Sequence, residues 1–563
     1  MPAPKVTVVT AARRTLLLVW MLLFGCVAAQ ADSRPPSWIL ISPAAVGMRE
    51  PSLSPLLREV APMELSRDTF DEGRAGPGQQ AVAVTSILGA DRWRSAGFTG
   101  YGVRVAIIDR GFEGAEELRG TGLPSNVRLR SFRADGDLNA GSEHGTLAAR
   151  VVTSMAPRAE LYLLNFSTPA ELAALVDFVT AERIQVVSFS LSFVFVGPGN
   201  GTGAVDDVIG RSASDGAFWA VAAGNWAGQH WSGTFTDRSG NTVHEFAPGL
   251  EDDGRLYRAQ DLITVALRWD NAWGAACDDY DLELFGPDGA LVRASRQVQD
   301  CHGDPVEKIE VLATRSGRYR ARVIRVVGSA ARRFDLVMLG TPDRGDVLDL
   351  STAASSLLEP AEHPSVFTVG AAAAGNPMQV ARFSSRGPTV DGRVKPDMIA
   401  PSGPQSFGDG SFSGTSAATP YVAAAAALLL EASPGLTPAE VPAQLRDRAL
   451  DVPPAAADSE SGAGLLQMGT VSGFGPLLPP GASAASFVDF TPRDSAVAVY
   501  RYRGPSGFPA RFGYMLTGSR TPVAFYRLDV VRARFDAFVM RAPASVDTFD
   551  VFNDGDFIFV RFQ

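Results

Sequence analysis

Val103-Arg104-Val105-Ala106-Ile107-Ile108-Asp109 is a mostly apolar, β-branched run that ends in an acid. A run of that length and composition reads as a strand buried on both faces of a parallel sheet. Working outward, Glu160–Phe166, Ile184–Leu191 and Phe218–Ala223 have the same character. Pro169–Glu182 between them reads as a helix, with Leu172, Leu175, Val176 and Val179 on one face, and Ile87–Ala96 as an earlier one. Strands alternating with helices predict an α/β architecture with a mostly parallel sheet. In such sheets functional residues gather at the carboxyl ends of strands, where Asp109 falls.

The alternation stops near Gly228. Residues 231–352 carry short alternating segments at Leu262–Leu267, Tyr280–Phe285, Lys308–Leu312, Tyr319–Val327 and Phe334–Leu339, with a turn at Pro287-Asp288-Gly289. They predict an inserted all-β, sandwich-like module. Val366-Phe-Thr-Val-Gly370 resumes the α/β pattern. Beyond Leu477, strands rich in Val, Phe and Tyr and the hairpin signal Asn553-Asp-Gly555 predict a second, C-terminal β domain. The expected organisation is a leader at 1–31, a linker or short pro-segment at 32–80, an α/β domain in two parts at 81–230 and 353–472, the insertion at 231–352, and the β domain at 473–563.

The chain has 563 residues, 46% hydrophobic and 20% charged, enough apolar content for several cores. A formal charge of −10 gives no reason to expect nucleic-acid binding. Lysine occurs only at positions 5, 308 and 395, which reads as a compositional bias. Lys5, Arg13 and Arg14 precede an apolar run, Leu16–Ala29, too short to span a bilayer, and Ala29-Gln30-Ala31 supplies a small-x-small cleavage pattern. The expectation is a secreted or periplasmic protein beginning near Asp32, with no transmembrane span. The Arg13-Arg14 pair leaves twin-arginine export open, and Cys26 leaves open a lipid anchor. In an oxidising compartment Cys277 and Cys301 are expected to pair. The carboxylates Asp278, Asp279, Asp281 and Asp288 could hold calcium but have no calcium-loop spacing, so they read as an exposed acidic edge. No zinc pattern is present, no metal site is assigned and no cofactor is required.

Four residues carry the chemistry. Ser416, in Ser413-Gly-Thr-Ser-Ala-Ala-Thr-Pro420, precedes Tyr421–Leu430, a run apolar all round that reads as a buried helix. The serine then lies at a helix N-terminus, where free N–H groups favour a developing anion. Pro420 reads as tolerated because a first turn needs no donor. His144, in His-Gly-Thr, opens another helical stretch and is a candidate general base. Asp109 can accept from its Nδ1–H. Asn225, after Ala222-Ala223-Gly224, offers a second donor to an oxyanion. Each alone reads as an ordinary cap, turn or strand-terminating residue.

Their order and contexts resemble the subtilisin-like serine proteases (subtilases). Val105-Ala-Ile-Ile-Asp109 resembles the aspartate motif, His144-Gly-Thr146 the histidine motif, Ala222-Ala-Gly-Asn225 the oxyanion segment and Gly414-Thr-Ser-Ala-Ala-Thr-Pro420 the serine motif. Met155-Ala-Pro157 and Phe383-Ser-Ser-Arg-Gly-Pro388 through Lys395-Pro-Asp397 agree. The resemblance covers about 81–228 and 353–455. It implies a three-layer subtilisin-like fold and a serine-type endopeptidase acting as a monomer on proteins or peptides. Asp109, His144 and Ser416 would form the triad, with Asn225 and the Ser416 amide as the oxyanion hole. Ser190, Leu191 and Ser192 would line one wall of the substrate pocket, and Ala222, Ala223 and Gly224 the other. Arg110, Glu143 and Leu147 depart from the pattern, as does Ser192, whose side chain narrows the pocket. The alternative reading is a binding or adhesion protein on an inactive scaffold of this fold.

Overall fold

The Val103–Asp109 run forms strand β1 (Arg104–Asp109), buried along nearly its whole length. Val105 and Ile107 face one apolar core and Ala106 and Ile108 the other, the alternation a strand imposes. The computed structural model describes residues 84–469 apart from 329–330, 342–344, 375, 403–404, 407–410, 434 and 454–456. Outside that span it describes only the backbone of short strands. The leader and most of 32–80 therefore lie outside the described residues. Leu40–Ile41 and Arg58–Glu59 are the exceptions.

Around β1 stand β2 (Arg128–Ser131), β3 (Glu160–Asn165), β4 (Val186–Phe189), β5 (Leu191–Phe193) and β6 (Phe218–Ala222). The helices are α1 (His144–Met155), α2 (Pro169–Ala181) and α3 (Ala204–Ser214). After the inserted strands follow β15 (Phe367–Ala373), β16 (Asn376–Val380), β17 (Met398–Pro401) and α4 (Thr415–Ala432). The main sheet runs β16-β15-β6-β4-β1-β3-β2, with β17 also on β15. Every pairing is parallel except the β15–β16 hairpin. α1 and α4 pack on one face and α2 and α3 on the other, giving three layers. All of α4 is buried, as expected of a helix with no polar face. Leu172, Leu175, Val176 and Val179 are the buried face of α2.

Several local readings are corrected. Ile184–Leu191 is not one strand: the chain breaks at Ser190 into β4 and β5. The early helix is in two pieces, residues 84–87 and Ala90–Ser95, because Gly89 at φ 78° interrupts it. Helix α3 was not expected. It follows a segment rich in glycine and proline, Gly197–Gly203, and buries only Val205, Asp206, Ile209, Gly210 and Ser212, a weak signal.

Residues 230–341 form two four-stranded antiparallel sheets. Their strands are β7 (His230–Thr234), β8 (Asp253–Tyr257), β9 (Leu262–Trp269), β10 (Asp279–Phe285), β11 (Leu291–Ser295), β12 (Val306–Leu312), β13 (Gly317–Val327) and β14 (Arg333–Thr341). One sheet has the order β8-β13-β10-β11 and the other β12-β9-β14-β7. Between them lies an aromatic-rich core including Trp231, Trp269, Tyr280 and Tyr319. The second sheet is covered on its far face too. Ala266, Val337 and Leu339 pack against Val194, Phe195, Ala222, Trp226 and Leu358 of the α/β layers. Cys277 and Cys301 are disulfide-bonded. Beyond residue 470 the backbone pairs Phe487–Asp489, Val497–Tyr502, Phe557–Phe562, Pro522–Asp529 and Arg534–Val539 into one antiparallel sheet.

The aspartates read as an acidic edge are not one. Asp278 and Asp279 are buried. Asp278 accepts from Arg332 at 2.6 Å and from Asn271 at 3.0 Å, Asp281 meets Arg296 at 3.4 Å, and Asp288 meets Arg315 at 2.9 Å. Arg332 supplies the compensation that the buried Asp278 requires, while Asp281 is half-buried and Asp288 exposed.

His244 lies in this core, 1% exposed, with Trp231, Phe246 and Phe334 rings within 5 Å and its Nδ1 accepting from the Thr236 amide. Burial, with Arg238 nearby, pushes its pKa down to about 4. The unfolded imidazole, with a pKa of about 6.5, binds the extra proton between those values, so this group's stability contribution is complete above that range and lost as pH falls through it. In urea unfolding, His244→Phe should lose stability less steeply than wild type from pH 6.5 to 4. The gap between the two should change by about 2 kcal/mol; parallel curves would refute the assignment.

Candidate active site

Asp109 ends β1 and is fully buried, and His144 opens α1 with 4% exposure. His144 Nδ1 lies 2.8 and 3.0 Å from the two Asp109 carboxylate oxygens. A carboxylate can only accept, so Nδ1 carries the hydrogen and Nε2 is left with its lone pair. The Arg110 amide also donates to Asp109 Oδ1, at 2.7 Å. Phe412, four residues before Ser416, sets its ring edge-on to the imidazole at 5.2 Å. Gly145 is required by close approach: a Cβ there would stand 2.4 Å from the Phe112 ring and 2.7 Å from Asp109 Cβ.

Ser416 is the second residue of α4 and is buried. Gly414 before it adopts φ 92°, open to glycine, and lets the chain turn into the helix. Pro420 is the sixth helical residue rather than part of a first turn. Its missing N–H would have bonded the Ser416 carbonyl, and that oxygen instead accepts from Ser190 Oγ at 3.4 Å. Ser190 thus ties the start of β5 to the turn that carries Ser416.

Asn225 Oδ1 accepts from the Thr415 amide at 3.0 Å and the Thr415 hydroxyl at 3.1 Å. The Gly224 amide donates to the same hydroxyl at 3.2 Å. Both bonds land on the Asn225 oxygen, so its amide nitrogen is fixed pointing away from Thr415.

Of the expected pocket residues, Ser190, Leu191, Ser192, Ala222 and Ala223 are buried on β4–β6 or the turns beside them. Gly224 adopts φ 107°. Ser192 Oγ has no hydrogen-bond partner. Leu40–Ile41 and Arg58–Glu59 pair antiparallel with β5. Glu143 is exposed, with Arg150 as an electrostatic neighbour.

Two supports were not expected. Asn165, in register with Asp109, donates from its amide nitrogen to the carbonyls of Arg110, Asp137 and Leu138 at 2.9–3.1 Å, pinning the loop beside the aspartate. Its place at the end of a buried strand was the available signal. Trp226 packs on Gly224, where a Cβ would stand 2.5 Å from the indole. Its burial depends on residues of the insertion, which local sequence does not reveal.

An Asp–His pair at one strand end and a serine at the start of a buried helix are the groups that nucleophilic acyl transfer uses. Residues 328–464 match the model of the subtilase family. Serine protease AprX of Bacillus subtilis is 34% identical over 182 residues, which are 27% of this chain and 40% of that protein. Subtilisin DY of Bacillus licheniformis is 29% identical over 150 residues, 25% of this chain and 53% of that protein. The chain therefore spans about two fifths and about half of the length of these curated relatives. The CspB protease structure of Clostridium perfringens shares the fold with a TM-score of 0.50 at 19% identity, covering 70% of this chain and 98% of that one. Residues 328–464 are thus similar to the subtilase family.

Gly145→Ala should destabilise the fold by about 1–3 kcal/mol, since its Cβ meets a packed ring and the aspartate. Urea denaturation at neutral pH measures it; an unchanged midpoint would contradict the packing described.

Proposed function

We propose that this chain is an exported serine endopeptidase that hydrolyses peptide bonds through an acyl-enzyme on Ser416. The observation that carries this reading is the buried Asp109–His144 hydrogen bond, which leaves Nε2 as a base in a fold whose serine opens helix α4. Ser416 Oγ attacks the scissile carbonyl while His144 Nε2 takes its proton. His144 then returns the proton to the leaving amine, and water releases the acyl group by the same route in reverse. Asp109 holds the tautomer and stabilises the imidazolium. The Asn225 side-chain amide and the Ser416 N–H receive the oxyanion.

Ser190, Leu191 and Ser192 form one wall for the residue before the scissile bond, and Ala222, Ala223 and Gly224 the other. Substrates are proteins or peptides, and the chain acts as a monomer. The apolar stretch Leu16–Ala29 supports export, and the Cys277–Cys301 bond fits an oxidising compartment. Among the described residues no helix is long and apolar enough to cross a membrane.

Wild type should be labelled by a fluorophosphonate and cleave casein, and Ser416→Ala should do neither. Unlabelled wild type, or labelling that survives the substitution, would leave the chain as a binding scaffold. Asn225→Asp retains the oxygen that Thr415 uses but removes the donor. It should lower kcat by about 10²–10³, the scale for loss of such a donor in a subtilisin, with KM little changed. An unchanged kcat would remove Asn225 from the oxyanion hole.

A further inference from the structure

The far face of the β12-β9-β14-β7 sheet rests on the proposed substrate pocket. Ala266, Val337 and Leu339 share one buried apolar cluster with Val194 and Phe195, just past β5, and with Ala222, Trp226 and Leu358. Two cations cross this apolar contact, Lys308 half-buried and Arg268 buried. Lys308 Nζ, from β12, donates to the Val194 carbonyl at 2.8 Å. Arg268, from β9 and 4% exposed, donates to the Gly197 carbonyl at 3.1 Å, to Glu359 at 2.7 Å and to Asp335 at 3.2 Å. Its guanidinium stacks 4.4 Å over the Phe195 ring. The Glu359 carbonyl in turn accepts from the Phe193 amide at 2.7 Å. The main chain over 193–197 is thus held by Lys308 and Arg268 directly and by Arg268 again through Glu359.

Such contacts exceed what attaching an accessory module requires. Interfaces between modules of one chain are ordinarily modest and polar. A buried ammonium or guanidinium is costly unless several acceptors receive it. Here the acceptors that offset this cost include carbonyls of the segment that follows β5. The insertion reaches the other side as well: the Met338 amide donates to the Gln229 carbonyl at 3.0 Å, and Gln229 Nε2 to the Asn225 carbonyl at 3.4 Å.

We propose that Lys308 and Arg268 are positioning residues for the substrate strand, so that the insertion sets how an extended peptide binds along β5. The inference rests on the endopeptidase reading. An extended peptide would replace Leu40–Ile41 or Arg58–Glu59 on β5 and add to the strand edge through main-chain hydrogen bonds, so a displaced strand weakens its binding. A small acylating reagent needs only the serine, the base and the oxyanion donors.

The secreted protein and its Lys308→Met and Arg268→Lys variants would be compared by three readouts. These are fluorophosphonate labelling rate, hydrolysis of a single-residue ester, and kcat and KM for a chromogenic peptide with four residues before the scissile bond. Lys308→Met should raise the peptide KM about tenfold, the effect of losing one charged hydrogen bond, with labelling and ester hydrolysis within about twofold of wild type. Arg268→Lys, which keeps the charge but not the fork, should shift the same KM in the same direction. Thermal unfolding shows which variants are folded, and either folded variant decides the matter. An unchanged peptide KM in a folded variant, or a parallel fall of all three readouts, overturns the proposal while labelled wild type leaves the endopeptidase reading standing. Should neither variant fold, the two cations are structural and the proposal fails. Unlabelled wild type defeats both readings.

Discussion

The hydrogen bond between Asp109 and His144 can form only because three layers bring a strand end and a helix start to the same depth. A carboxylate with no exposure must be met by donors, or burial would neutralise it. Here the donors are the imidazole and the Arg110 amide. The approach leaves no room for a side chain at position 145. Parallel pairing in turn places Asn165 level with Asp109, where its amide secures the loop that would otherwise move the aspartate. The geometry of the site is therefore a consequence of sheet register.

The serine side is held by a different device. Pro420 withholds a backbone donor inside α4, which leaves the Ser416 carbonyl to be satisfied from outside the helix. Ser190 does so, and Thr415 engages Asn225 one residue earlier. The start of α4, Asn225 and the start of β5 are thereby linked through side chains on three separate elements. A substitution at any of them would be felt at the other two, so single-residue losses there are expected to be non-additive.

Much of this was legible in the sequence, for a physical reason. Strands buried on both faces are continuous apolar runs, and α4 is apolar all round, so burial is written into composition at Val103–Ile108 and Tyr421–Leu430. Asp109, His144, Asn225 and Ser416 each directly follow or open such an element, which made them visible. What could not be read depends on distant partners. The Asp278 cluster looked like an exposed edge because its arginine, Arg332, lies 54 residues on. Helix α3 was missed because its buried side is short, and the Ser190 hydroxyl's partner, the Ser416 carbonyl, lies 226 residues away. The capping box of Thr168 and Glu171, by contrast, was local and available.

The rarity of lysine takes on a different meaning once the fold is seen. Only three of the 51 basic residues are lysines, and of those in the described span Lys395 is buried and Lys308 half-buried. Burial holds each below its ordinary pKa, Lys308 at about 8, even with Glu359 nearby and with Asp397 beside Lys395. Each sends its ammonium to a main-chain carbonyl at a structural junction, Lys308 to Val194 and Lys395 to Val366. A compact ammonium can end on a carbonyl within a packed wall, whereas a planar fork needs room and several coplanar acceptors. Arg268 has that setting, with two carboxylates, a carbonyl and an aromatic face around it. A compositional bias toward arginine accounts for the surface cations, but these two interior positions follow from the shape of the acceptor. The insertion uses both kinds of cation on one short segment of backbone, the segment that follows β5.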